Sequence, residues 1–393
     1  MKQNTAMLIF FSIVLIVTIG VNYYLYRHTD SIFKTSGIYQ TAFRVLFWVI
    51  ALSYPLGRFL ERAIPSGASE LVTKIGSFWL AAMLYLTLMF LLFDLFKLMH
   101  SWTGFPSFLS AKDSITFLRK ISVGIYATTA VIILAGHLNA IYPKVNRVSI
   151  NTDKSLEGNT MLRIAAASDI HLGTIISNGR LERFVRMMNK QKPDIILLAG
   201  DIFDEDLGPV IQKNMGDQLK QLSAPLGVYA ITGNHEYIGG AEAAIKYLEN
   251  HGITVIRDSV LTPQGKLNVV GRDDRQAKMM GGNMRKPIEQ LVENIDKNLF
   301  TIMLDHQPYN LNEAVENGID LQISGHTHHG QMFPLNLITK SIFEVSRGYK
   351  QIENTHIYVS TGFGTWGPPV RVGNRPEIVV IEVSSGRQDG MNH

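Results

Sequence analysis

The apolar positions of this chain fall into two regimes. Up to about residue 156 they run together in long stretches; from residue 160 they come in short blocks, each stopped by glycine or a polar residue. A helix rises about 1.5 Å per residue, so about twenty apolar residues cross the ~30 Å hydrocarbon layer of a bilayer. The first regime therefore predicts membrane helices at about 7–26, 43–60, 75–96 and 121–142, a four-helix transmembrane module over residues 1–142. The first stretch is long for a signal core and lacks a small-residue cleavage site, so it reads as an uncleaved anchor. The second carries Arg44, Pro55, Gly57 and Arg58, and an interfacial or re-entrant helix is its alternative. The third holds Trp79 and Tyr85, with Asp94 near its end, and the fourth follows Arg119 and Lys120. His137 in the fourth is expected to pack between helices or lie near the interface. Residues 143–159 read as a polar connector.

The second regime predicts strands at 161–168, 194–199, 226–232, 254–257, 266–270, 300–304, 321–324, 355–360 and 377–382. Between them, 178–189 repeats its apolar residues at helical spacing through Leu181, Phe184, Val185 and Met188, and 241–251 reads as a second helix. Alternating strands and helices argue for a layered α/β domain over 160–386, followed by a tail at 387–393. Several strands run directly into polar motifs, and the carboxyl ends of strands are where open α/β sheets place their sites.

Composition narrows the chemistry. The chain has no cysteine, which excludes disulfides, thiolate nucleophiles and sulfur-ligated metal sites. A net charge of +4 over 393 residues gives no reason to expect a nucleic-acid partner. Basic residues near the apolar stretches number six on the side of the C-terminal domain (Lys2, Arg58, Arg62, Lys74, Lys144, Arg147). They number seven on the other (Arg27, Lys34, Arg44, Lys97, Lys112, Arg119, Lys120). By the positive-inside rule this tilts the expectation toward an extracytoplasmic catalytic domain.

Seven residues at strand ends are of metal-ligating type: Asp169, His171, Asp201, Asn234, His306, His326 and His328. Each alone suits a turn or a surface position. Their joint occurrence, with oxygen and imidazole donors and no sulfur, suits borderline divalent ions such as Mn²⁺, Zn²⁺ or Fe²⁺. Asp169 and His171 are two apart, so in an extended stretch both point into one cavity, and the short side chain of Asp201 is placed to bridge two ions.

Taken in order, D-x-H (Asp169, His171), G-D (Gly200, Asp201), G-N-H-E (233–236), a lone His306 and G-H-x-H (Gly325, His326, His328) resemble the calcineurin-like metallophosphoesterases, over roughly residues 161–382. GHTHHGQ at 325–331 and GFGTWGPPVR at 362–371 resemble the bacterial membrane-associated branch, which includes UDP-2,3-diacylglucosamine pyrophosphatase-like phosphohydrolases. The resemblance implies a sandwich of two mixed sheets flanked by helices. It implies that Asp169, His171 and His328 hold one ion, that Asn234, His306 and His326 hold the other, and that Asp201 bridges them. His235 is then not a ligand but a general acid or donor to the transition state, oriented by Asp204 or Glu236.

The expected activity is dimetal-dependent hydrolysis of a phosphoester or pyrophosphate bond by attack of a metal-bridging hydroxide on phosphorus. Lipid and nucleotide-linked molecules are the expected substrates, with the bilayer as partner and Mn, Zn, Fe or Mg as the ions. The competing function is a membrane-anchored sensor or accessory protein that binds metal or phosphate without turnover. Arg180 and Arg371 are read either as phosphate contacts or as surface salt bridges. Residues 272–283 read as a solvated loop, and Phe363, Trp366, Pro368 and Pro369 as a rigid loop shaping the entrance or covering a sheet edge.

Overall fold

The computed structural model describes residues 2–32, 37–105, 114–156, 161–280 and 284–386. Contacts divide the chain into two units, Met1–His137 with Gly367–Val370, and Leu138–Trp366 with Arg371–His393.

Helix forms over all four apolar stretches of the first unit: α1 (Lys2–Ile32), α2 (Ile38–Ala51) with α3 (Ser53–Ala63), α4 (Gly67–Thr103) and α5 (Ser114–Ile141). Among the described residues Gly67–Thr103 and Thr116–Ile141 are long and apolar enough to cross a membrane; α2 and α3, bent by 58°, make a third if they form one span. Pro55 explains the bend. It has no N–H to give the carbonyl of Ala51, and its ring crowds that carbonyl, while the amides of Leu52 and Leu56 keep their helical bonds on either side. Leu25, Phe47, Leu86 and Phe90 form the interior of this unit, and the Trp79 indole donates to Asn22 Oδ1 at 2.9 Å. His137 meets Phe78 edge-on, ring centroids 5.1 Å apart, and its Nδ1 lies 2.8 Å from the Pro369 carbonyl. It packs, as its position in the sequence suggests.

The second unit is a sandwich of two six-stranded mixed sheets. Its strands are β1 (Lys144–Thr152), β2 (Met161–Ala167), β3 (Ile195–Ala199), β4 (Val228–Ile231), β5 (Thr254–Val255), β6 (Ser259–Leu261), β7 (Asn268–Gly271), β8 (Thr301–Leu304), β9 (Leu321–Ser324), β10 (Gly348–Ile352), β11 (Thr355–Val359) and β12 (Glu377–Ser385). One sheet has the order β1-β12-β2-β3-β4-β5 and the other β10-β11-β9-β8-β7-β6. Helices α6 (Asn178–Lys190), α7 (Gly208–Gln212), α8 (Met215–Leu219), α9 (Asn234–Gly239) and α10 (Ala241–Asn250) follow the strands of the first sheet. Helices α11 (Ile288–Val292), α12 (Asn312–Glu316) and α13 (Leu335–Ile342) follow those of the second.

Strand β3 shows why its sequence is apolar throughout. Ile195, Leu197 and Ala199 face the other sheet, against Ile302, Leu304 and Ile323, while Ile196 and Leu198 face Leu181, Phe184 and Met188 of α6. With both faces covered there is no polar alternation to see. Residues 143–159, expected as a connector, begin instead with an edge strand. β1 pairs in parallel with β12 over its whole length and buries Ile150. Its flanking Lys144, Asn146 and Arg147 stay at the sheet margin, which is what makes it look like a linker.

Candidate active site

Strands β2, β3 and β4 run parallel in one sheet and β7, β8 and β9 in the other. Packing the sheets face to face therefore gathers the loops after β2, β3, β4, β8 and β9, which carry all seven candidate ligands and His235. Asp169, His171, Asp201, His326 and His328 take left-handed backbone conformations, with φ between 44° and 69°. Such residues cost about 1–3 kcal/mol each and persist where the surroundings over-determine them. Gly200 also has positive φ, 85°, and a Cβ there would lie 2.7 Å from His306 Nδ1 and 2.9 Å from the Gly233 amide nitrogen. Only glycine lets these three loops approach.

Among the described residues the donor atoms cluster in three groups, one of them His171 with Asp204 and His235; the other two hold six of the seven candidate ligands. Asp169, His171 and His328 each offer an atom within 4.8 Å of the others, and so do Asp201, His306 and His326. In the first, His171 Nε2 and His328 Nε2 are 3.0 Å apart, and His328 Nε2 is 3.4 Å from Asp169 Oδ1. In the second, His306 Nε2 is 3.1 Å from Asp201 Oδ2, and Asn234 Oδ1 is 2.8 Å from His326 Nδ1. Asp201 Oδ2 also lies 4.0 Å from His171 Nε2, which joins the groups. The His306 ring is fixed from behind, where Nδ1–H donates to the Ala199 carbonyl at 2.7 Å. Its Nε2 is buried and faces Asp201 Oδ2.

Electrostatics suit cations. Burial holds the His171 and His328 imidazoles well below their usual range, helped by the neighbouring His235 and His328 for the first and by Arg371 for the second. Burial and His306 bring His326 down to about 4. These rings are neutral with lone pairs available. Burial alone would also neutralise Asp201 and His306, but their mutual attraction outweighs it, driving Asp201 well below and His306 well above the usual values. Asp201 and His306 thus form a buried ion pair, and a divalent ion held at His306 Nε2 would take the place of the imidazolium proton against the same carboxylate. The neutral imidazoles and the sulfur-free donor set fit such ions.

Around this centre several assignments change. Glu236 does not orient His235. Its Oε1 accepts the amides of Ile202 (2.8 Å) and Phe203 (2.9 Å), and its Oε2 those of Asp201 (3.0 Å) and Gly233 (2.7 Å), so it ties the loop after β3 to the loop after β4. Asp204 lies nearer: its Oδ1 is 3.9 Å from His171 Nδ1, and donor atoms of Asp204, His171 and His235 all fall within 4.8 Å of one another. The group opposite His235 Nδ1 is Glu205, at 3.7 Å, a charge contact rather than a hydrogen bond. Glu205 escaped the sequence reading because it belongs to an acidic run, D-E-D at 204–206, with nothing local to single it out.

Arg371 is neither a phosphate contact nor a surface ion pair. It is fully buried, donates to the carbonyls of Gly362 and Gly364 and to Asn374 Oδ1, and shapes the 362–371 loop from inside. Arg180 donates to the Ala140 carbonyl at 2.7 Å. Phe363 is buried under Phe184, whereas Trp366 is exposed, its ring 5.8 Å from that of His235.

Residues 272–274 are buried rather than solvated, because they leave β7 at the same sheet edge; 281–283 lie outside the described residues. The Asp273 carboxylate accepts the Thr232 hydroxyl at 3.0 Å, the Tyr237 hydroxyl at 2.5 Å and the Arg257 guanidinium at 3.2 Å. Thr232 and Tyr237 bracket Asn234 and His235, so Asp273 braces that turn from behind. Outer partners of this kind carry about 10–100-fold of metal affinity or activity. Asp273→Asn, which aims an amide N–H₂ at donors, is expected to lose about 30-fold in kcat/KM and to weaken metal binding, read by a metal titration of turnover.

The calcineurin-like phosphoesterase family model matches residues 162–330. An uncharacterized metallophosphoesterase of Aquifex aeolicus is 34% identical over 252 residues, 63% of this chain and 94% of that one. An uncharacterized metallophosphoesterase of Helicobacter pylori is 27% identical over 377 residues, 94% of this chain and 96% of the relative. A Danio rerio transmembrane protein with metallophosphoesterase domain is 33% identical over 267 residues, 64% of this chain and 60% of the relative's own length. With two donor groups meeting at Asp201 and relatives of this kind along its length, the chain belongs to the calcineurin-like metallophosphoesterases and is a metal-dependent phosphoester hydrolase.

Proposed function

We propose that the chain hydrolyses a phosphoester or pyrophosphate bond of a lipid or a nucleotide-linked molecule, at a site holding two divalent ions. The observation that carries this reading is the meeting of the two donor groups at one buried carboxylate, Asp201. Asp169, His171 and His328 would hold one ion and Asn234, His306 and His326 the other, with Asp201 between the two sets. When bound, Mn, Zn, Fe or Mg ions supply Lewis acidity toward the phosphoryl oxygens and activate the attacking water.

The remaining chemistry belongs to His235. Its ring meets His171 edge-on at 4.7 Å, and its backbone N–H donates to Asp201 Oδ1 at 2.9 Å, so it sits beside the ligands without being one. Glu205 lies opposite Nδ1, and the ring is placed to donate a proton to the leaving oxygen as the bond to phosphorus breaks. His235→Ala is expected to lower kcat by roughly 10²–10⁴-fold while leaving metal content unchanged; metal analysis beside steady-state kinetics checks this.

The apolar helices favour an amphiphilic substrate. Phosphate or nucleotide release by the detergent-purified chain tests it, with a UDP-linked diacyl sugar and lipid phosphates set against soluble mono- and diesters, under each metal. Turnover confined to soluble esters would reject the lipid preference. We also read the helices as four spans with the catalytic unit outside the cytoplasm. Labelling of Lys246→Cys by an impermeant thiol reagent in intact cells supports that side, and its failure until the cells are broken rejects it.

A further inference from the structure

Helix α13 wears its apolar side outward. None of its residues is buried, and Leu337, Ile338 and Ile342 are each more than half exposed, as is Phe333 just before it. Ile338 and Ile342 are four apart on the helix and Leu337 adjoins Ile338, so these three share one side of it, while Phe333 lies just ahead of the helix. An apolar face on a helix of a globular domain normally turns to the core. Here the core is already filled, and the face meets solvent.

Two features say what covers it. First, the patch is flanked by cations. Lys340 lies within the helix and Arg347 just after it, both exposed and neither ion-paired among the described residues. Apolar residues with basic neighbours are the composition of an interfacial helix on an anionic bilayer. Second, the chain carries its own apolar helices, two of them long and apolar enough to cross a membrane, so a bilayer is the apolar surface at hand.

We infer that α13 is a membrane-contact element that sets Phe333, Leu337, Ile338 and Ile342 into a lipid surface, with Lys340 and Arg347 at the anionic headgroups. Its position gives the contact a purpose. The first turn of α13 rests on the loop bearing His326 and His328: a Cβ at Gly330 would come within 2.3 Å of the Asn336 amide nitrogen, so loop and helix are in direct contact. Lipid contact at α13 thereby holds the ligand loop at the bilayer surface, where an amphiphile presents its phosphate. The inference goes beyond the hydrolase reading and stands without it, because lipid contact is measurable whether or not any substrate turns over.

The absence of native cysteine makes the test direct. The full chain with Ile338→Cys, and separately with Ile342→Cys, is spin-labelled and reconstituted into phosphatidylcholine vesicles with and without phosphatidylglycerol. Lys246→Cys on α10 serves as the aqueous reference. Collision rates with oxygen and with a water-soluble nickel chelate are then compared. The expected result is a several-fold higher oxygen-to-nickel ratio at 338 and 342 than at 246, larger with phosphatidylglycerol and reduced in Lys340→Glu. A ratio at both sites equal to that at 246 overturns the inference. Labels shielded from both reagents, with spin–spin broadening that grows with protein density, overturn it in favour of a second copy of this chain. A far-ultraviolet circular dichroism spectrum and a melting midpoint equal to those of the unlabelled chain establish that each variant is folded.

Discussion

Asparagine in place of Asp201 is expected to lower kcat/KM by at least roughly 10³-fold, since several kcal/mol of transition-state stabilisation would rest on the ions it is proposed to join. The substitution keeps the shape of the side chain and removes its charge. Asp201 is buried with a backbone φ of 51°, and its two oxygens have different work. Oδ1 receives the His235 amide, while Oδ2 lies between His306 Nε2 and His171 Nε2. An asparagine must either aim its N–H₂ at the His235 amide, donor against donor, or aim it at the cation positions. Both orientations fail, and the first also displaces His235. Bound metal is expected to fall below two equivalents. An Asn variant with full metal content and turnover within tenfold of the parent would refute the bridging role.

The second large effect is expected at Glu236, and there it falls on stability as much as on turnover. Four amides converge on one carboxylate, and burial together with the charge on Asp201 pushes that carboxyl up to about 7 against them. Cations beside Asp201 cancel the second of these causes, so metal binding and the charged form of Glu236 reinforce each other. Glu236→Ala leaves four buried donors without their acceptor, at about 1–3 kcal/mol for each that water does not reach. After relaxation a net loss of about 3 kcal/mol is expected, which lowers the melting midpoint of a domain of this size by roughly 6–12 °C. Glu236→Gln is expected to be little better, because its N–H₂ faces two of those donors. Thermal melts of both variants, with and without added Mn²⁺, read the effect. A Gln variant that melts and turns over like the parent would show that the four amides are satisfied otherwise.

Much of the fold was legible because its signals are local. A run of about twenty apolar residues is a property of the run itself, and helix formed over each of the four. Blocks such as 194–199 are apolar throughout because both faces are covered, and all nine expected strands appear in place. The three strands that were missed, β1, β6 and β10, carry polar or charged residues and lie at or beside sheet edges. Helix α13 was missed because its apolar residues serve no core, which also marks it as unusual. The candidate ligands were legible for another reason. Histidine, aspartate and asparagine at strand ends advertise their chemistry by residue type, whatever they touch.

Which group touches which was decided only by the tertiary structure. Glu236 stands next to His235 in the chain, yet its carboxylate binds amides 33 to 35 residues away. Arg371 looks like a surface cation and is enclosed by a loop that folds back around it. Asp273 sits in a segment that reads as solvated and instead braces a turn from 36 and 41 residues along the chain. Residue type and local periodicity determine what a segment can become, because both act over a few residues. The partner of a buried charge is chosen by packing two sheets together, and no local stretch of the chain contains that contact.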